Sequence, residues 1–181
     1  AKLLAAEDIA VEHRPVPTAY FDVKHRILAL PMWKDMPEYL YHMLVLHEVG
    51  HSLFTNADGW EDIVTEHKKQ FHGYLNVIED ARIERKMKTK FPGSRKDFVD
   101  GYDDLHKRDF FKLEDRDINS LSLIDRINLY FKLGTRIKLR FTEEEMVFVR
   151  RAEKTMTFED VIALALDLFG RAKDKQEQQQ I

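Results

Sequence analysis

The chain has 181 residues, 44% of them apolar and 34% charged, with 29 Lys and Arg against 32 Asp and Glu. That is enough for one compact domain with its own core, and a formal charge of -3 offers no global basic field to nucleic acid or a membrane surface. The absence of cysteine excludes disulfides, thiolate metal ligands and a cysteine nucleophile together, and fits a reducing compartment.

Thr18 to Pro31 holds two short runs of β-formers around Lys24-His25, the pattern of a hairpin. Beyond it the chain reads as helical. Pro37 to Phe54 spaces Leu40, Met43, Leu44, Leu46 and Leu53 close to the 3.6-residue period. A loop over Thr55 to Gly59 leads to a second long helix from Glu61 to Lys90, which ends at Phe91-Pro92-Gly93. Residues 92 to 117 are charged and aromatic with little period and read as a surface segment with one helical turn. Ser120 caps a helix to Leu133, with Gly134 as its stop; Thr142-Glu143-Glu144-Glu145 is a capping box; Thr157 caps a last helix from Phe158 to about Ala172. The expected class is α+β, mainly helical, with a domain over 1–172. Residues 173–181 form a polar flexible tail. No segment has the roughly 18 consecutive apolar residues of a membrane span.

His47-Glu48-Val49-Gly50-His51 is an HExxH motif inside the strongest helical pattern. Residues i and i+4 share a helix face, so His47 and His51 can grip one Zn²⁺ while Glu48 takes a proton from a metal-activated water. A catalytic zinc commonly has three protein ligands. With no Cys, the third must be His, Asp or Glu. The extended HExxHxxGxxH form is absent, because Phe54 and Ala57 occupy its later positions. The next candidates lie in Asn76-Val77-Ile78-Glu79-Asp80-Ala81-Arg82-Ile83-Glu84. Glu79 is the preferred third ligand and Asp80 the alternative; Asp80, Glu84 or Asn76 could orient a ligand histidine. Stabilisation of an oxyanion falls to His72, Arg82, Tyr102 or His106. The basic residues Arg82, Arg85, Lys86, Lys88, Lys90, Arg95 and Lys96 read as a solvated helix end rather than a nucleic-acid surface, since helix C-termini favour cations.

The segments HEVGHSLFT, NVIEDARIERKMKTKFPGSRKDFVDGYDDL, LIDRINLYFKLG and FTEEE resemble a group of bacteriophage zincin-like metallopeptidases, cobaltochelatase-subunit-like and associated with a von Willebrand factor A domain. The resemblance implies a gluzincin-type zincin fold with a small N-terminal hairpin or sheet packed on the active-site helices. It implies His47, His51 and Glu79 as zinc ligands and Glu48 as general base of a peptide hydrolase. It further implies a longer protein, with the polar tail leading to a von Willebrand factor A domain, an AAA+ ATPase as partner, and a place in the infected host's cytoplasm or the virion. Thermolysin-like enzymes carry an Asp four residues after the ligand Glu, where this chain has Ile83. The alternative reading is a catalytically inactive, metal-pinned interaction module that works with an ATPase or virion partner. Glu48, which a purely structural site would not need, favours catalysis.

Overall fold

The computed structural model describes residues 9–66 and 69–179. Its architecture is α+β and mainly helical, with one small sheet, β1(Ala10–Arg14), β2(Tyr20–Asp22) and β3(Ile27–Pro31), and seven helices among the described residues: α1(Glu38–Phe54), α2(Ala57–Glu66), α3(Lys69–Lys90), α4(Ser94–Lys107), α5(Leu123–Leu133), α6(Glu143–Glu153) and α7(Phe158–Gln179). The chain divides into two compact units. One contains the residues up to Ala57 with Ile83–Arg116, the other Asp58–Arg82 with the residues from Asp117 onward. Among the described residues no helix is long and apolar enough to cross a membrane.

In the first unit, β2 and β3 pair antiparallel as the expected hairpin, with Phe21 opposite Leu28. The connection closes through Arg26 in the left-handed region, φ 55°. A third strand went unpredicted: β1 lies parallel to β3, Val11 opposite Leu28, so the order is β1-β3-β2. The central strand therefore carries the apolar run Leu28-Ala29-Leu30, all fully buried. The edge strands are shorter of apolar residues, which is why β1 has no clear sequence signal.

Helix α1 packs on β2, β3 and α4, and buried residues surround it on most sides: Leu40, Met43, Leu44, Val45, Leu46 and Val49. Two glycines set its distances. A Cβ on Gly50 would stand 2.8 Å from Cδ1 of Ile83 and 3.0 Å from Cγ of Met87, and one on Gly101 would stand 2.6 Å from Cβ of Met43. Helices α1, α4 and the C-terminal part of α3 thus approach at backbone-limited distance.

Helix α4 replaces the surface segment expected over 92–117. Phe98, Gly101, Tyr102 and Leu105 are its buried stripe, spaced i, i+3, i+4 and i+7; the seven acidic and basic neighbours on its other faces hide that period from a composition reading. Other differences are smaller. The helix expected from Glu61 to Lys90 is described as α2, which starts at Ala57, and α3, from Lys69; residues 67 and 68 lie outside the described residues. Ser122, not Ser120, caps α5, its hydroxyl accepting from Asp125 N. Helix α7 continues to Gln179 through the stretch read as a flexible tail, because Lys173 to Gln179 contains good helix formers and no Gly or Pro. Gln180 and Ile181 lie outside the described residues.

The second unit has its own core, in which Phe71, Leu75 and Ile78 of α3 pack with Ile124 and Ile127 of α5, Val149 and Ala152 of α6, and Val161, Leu164 and Leu168 of α7. The predicted capping box is present: Thr142 accepts from Glu145 N and Glu145 accepts from Thr142 N. Thr157 and Asp160 cap α7 by the same reciprocal exchange. Glu145 does more than cap. Its two carboxylate oxygens take Arg126 Nη1 at 3.0 Å and Nη2 at 2.7 Å, and this buried guanidinium holds the Glu145 carboxyl down at about 2 from its ordinary 4.5.

Candidate metal centre

The HExxH motif lies in the C-terminal half of α1, its last turns held by the sheet connection: Arg26 Nη2 donates to the Ser52 carbonyl at 3.1 Å and to Ser52 Oγ at 3.0 Å. The helix spacing brings the two imidazoles together as expected. Nε2 of His47 and Nε2 of His51 are 3.3 Å apart, and the rings meet edge to face with centroids at 4.9 Å.

The far nitrogens are both engaged. Nδ1 of His47 lies 2.7 Å from Oε1 of Glu84, whose side chain is 4% exposed. A carboxylate has no proton to give, so Nδ1 of His47 is the donor and Nε2 carries the lone pair. Nδ1 of His51 lies 3.0 Å from Oγ1 of Thr55, a hydroxyl able to accept in the same way. The two Nε2 atoms are within hydrogen-bonding distance when one of them carries a proton, and with the protons on both Nδ1 atoms their lone pairs converge on a point that a cation can bridge. The spacing also fits a tetrahedral ion: two zinc–nitrogen bonds of about 2.05 Å at the tetrahedral angle separate their nitrogens by about 3.3 Å. Glu48, the second residue of the motif, is buried at 7% exposure.

Of Asp80, Glu84 and Asn76, the residues expected to orient a ligand histidine, Glu84 is the one whose carboxylate meets Nδ1 of His47. Asn76 is exposed. The buried Tyr102, expected as an oxyanion stabiliser, instead donates its hydroxyl to Oε1 of Glu84. His106 is half-buried in the last turn of α4.

In the second unit, the preferred third ligand is engaged elsewhere. Glu79 is fully buried and accepts from Arg82 twice, Nε to Oε2 at 2.9 Å and Nη2 to Oε1 at 2.7 Å. Arg82, offered as an oxyanion stabiliser, is thereby committed to Glu79 and, through Nη1, to the Met156 carbonyl at 3.2 Å. A bidentate pair of this kind needs both partners' forks and closes the interior around itself. His72 stacks edge to face on Trp60 at 5.3 Å, and its Nε2 is buried without a hydrogen-bond partner.

Asp80 takes the other direction on the helix. At 100° per residue it lies about 40° from Glu84 around α3, whereas Glu79 lies about 140° away. Its Oδ2 accepts from Lys132 Nζ at 3.2 Å, with 13% of the Asp80 side chain exposed. Within the first unit, His47 and His51 bring two ligand-capable nitrogens together. Thr55 and Lys132 were not anticipated. Thr55 had a signal, four residues after His51 and at the helix end; Lys132, 52 residues from Asp80, had none.

These features define a mainly helical α+β protein with a candidate metal centre built on HExxH. No protein-family model matches the chain, and no curated protein or solved structure does.

Proposed function

We propose that the protein is a zinc-dependent peptide hydrolase of zincin type, as its HEVGH and NVIEDARIE segments imply, with His47 and His51 as metal ligands and a carboxylate of the second segment, Asp80 in preference to Glu79, as the third. The single observation that carries this reading is the opposed pair of Nε2 atoms at 3.3 Å, one ring anchored by the Glu84 carboxylate. What supports Asp80 over Glu79 is the commitment of both Glu79 oxygens to Arg82. A carboxylate has two oxygens, so ligation is compatible with the bond from Lys132.

Zinc would supply a Lewis acid that polarises the scissile carbonyl and acidifies water. The chain's own residues do the rest. Glu48 accepts the proton of the attacking water and returns it to the leaving amine. Glu84 and Thr55 keep the two rings in the tautomer that presents Nε2.

Elemental mass spectrometry of protein purified without chelator should find about one zinc per chain. Glu48→Gln should keep the metal and lose roughly 10²–10⁴ in hydrolysis of an unstructured protein substrate. No metal bound after zinc is offered, or full hydrolysis by Glu48→Gln, would reject the proposal.

A further inference from the structure

We propose that Tyr102 is a positioning residue for His47, acting through Glu84. The three side chains form a line from the interior to the candidate metal centre: Tyr102 Oη donates to Oε1 of Glu84, and the same oxygen receives Nδ1 of His47 at 2.7 Å. Glu84 is almost wholly buried, so its orientation is set by the donors around it and not by water. Two donors on one oxygen define the direction of that oxygen's lone pairs, and with it the plane in which the His47 ring can lie.

The packing around Tyr102 makes this a rigid arrangement. Its ring lies between Phe98, stacked at 6.4 Å, and Phe111, tilted at 6.5 Å. Its neighbour Gly101 sits against Met43, where an added Cβ would be 2.6 Å from the Met43 Cβ. Met43 is one helical turn before His47 on α1. On the other side, Gly50 sits against Ile83 and Met87, the residues that flank Glu84 along α3. The close contacts thus fix α4 and the C-terminal part of α3 on α1, and the hydroxyl of Tyr102 converts that backbone register into the tautomer and ring plane of one histidine. Nδ1 of His51 meets a different group, the hydroxyl of Thr55, the residue that caps the C-terminus of α1.

The consequence is a property of the metal-free protein, and only its zinc half rests on the function proposed above. In apo wild type, long-range ¹H–¹⁵N spectra should show His47 as the Nδ1–H tautomer. In Tyr102→Phe the Glu84 carboxylate loses the donor that aims it and can turn away from Nδ1, so both tautomers should be populated, and zinc affinity, measured by competition with a chromophoric chelator, should fall about tenfold. Tyr39→Phe is the control. It removes another bond between α1 and α4, Tyr39 Oη to Asp104 Oδ2 at 3.0 Å, and should change neither readout. A folded Tyr102→Phe protein with wild-type His47 tautomer populations overturns the proposal, as does an equal effect of Tyr39→Phe. If wild type binds no zinc but the tautomer shift occurs, the positioning role stands and the hydrolase reading falls. Wild type supplies an independent check that does not depend on the variant folding: the Tyr102 hydroxyl proton should be protected from solvent exchange and close to the His47 ring, and exchange at the bulk rate would overturn the proposal.

Discussion

Two adjacent carboxylates, Glu79 and Asp80, have opposite surroundings, and the difference predicts opposite phenotypes. Glu79 neutralises Arg82 in the interior, so Glu79→Gln leaves a buried guanidinium without its counter-charge. We expect a loss of about 3–5 kcal/mol in denaturant unfolding with zinc binding retained by the folded fraction. Asp80 is partly exposed and paired with a lysine. Asp80→Asn should cost little stability and weaken zinc at least tenfold in the chelator competition. The reverse pattern would restore Glu79 as the ligand. Glu145 makes a third case at this scale. Its folded-state carboxyl titrates at about 2 against 4.5 ordinarily, so the unfolded chain takes up the proton first as pH falls. The stabilisation, roughly 3 kcal/mol, is complete above about pH 4.5 and is lost between there and pH 2. Thermal unfolding followed by circular dichroism should show Glu145→Gln well below wild type at pH 7, with the gap closing toward pH 2.

Among the helices, the glycines distinguish packing from propensity. Ala is favoured over Gly inside a helix by about 1 kcal/mol. At Gly73 of α3 an added Cβ meets nothing within 4 Å, so Gly73→Ala should raise stability by about 0.5–1 kcal/mol. At Gly101 the same Cβ meets the Met43 Cβ at 2.6 Å and Cγ at 2.9 Å. A Cβ cannot swing aside, so overpacking of about 1–3 kcal/mol outweighs the propensity gain and Gly101→Ala should be destabilising. Chemical denaturation of the two variants decides both signs. Gly101→Ala should also weaken zinc, because it displaces Tyr102 from Glu84. The caps belong to this scale too, and they were legible: Thr142 with Glu145 and Thr157 with Asp160 are exchanges across three residues, complete within a few residues of sequence.

For the molecule as a whole, ligand linkage gives the clearest expectation. A metal that binds only the folded state adds about 4 kcal/mol at a thousandfold excess over its dissociation constant. For a chain of this size that corresponds to a rise of about 8–16 °C in Tm. Scanning calorimetry with zinc and then with chelator should show the rise and its reversal, and His47→Ala should abolish both.

What could be read from the sequence alone was whatever is encoded over three or four residues. HExxH places two imidazoles on one helix turn by the geometry of the α-helix itself, and the caps, the Tyr20–Pro31 hairpin and the mainly helical class follow from equally local patterns. Only the tertiary structure decided how each helix is rotated about its axis. Periodicity puts Glu79 and Asp80 about 100° apart on α3 but does not say which direction meets Lys132 and which meets Arg82. It does not show that Phe98, Gly101 and Tyr102 form a buried stripe, or that the Tyr102 hydroxyl ends on Glu84, because those contacts join residues 18 or more positions apart. Rotation is chosen by the sum of many such contacts, above all the close approaches at Gly50 and Gly101, and that sum exists only once the chain has folded.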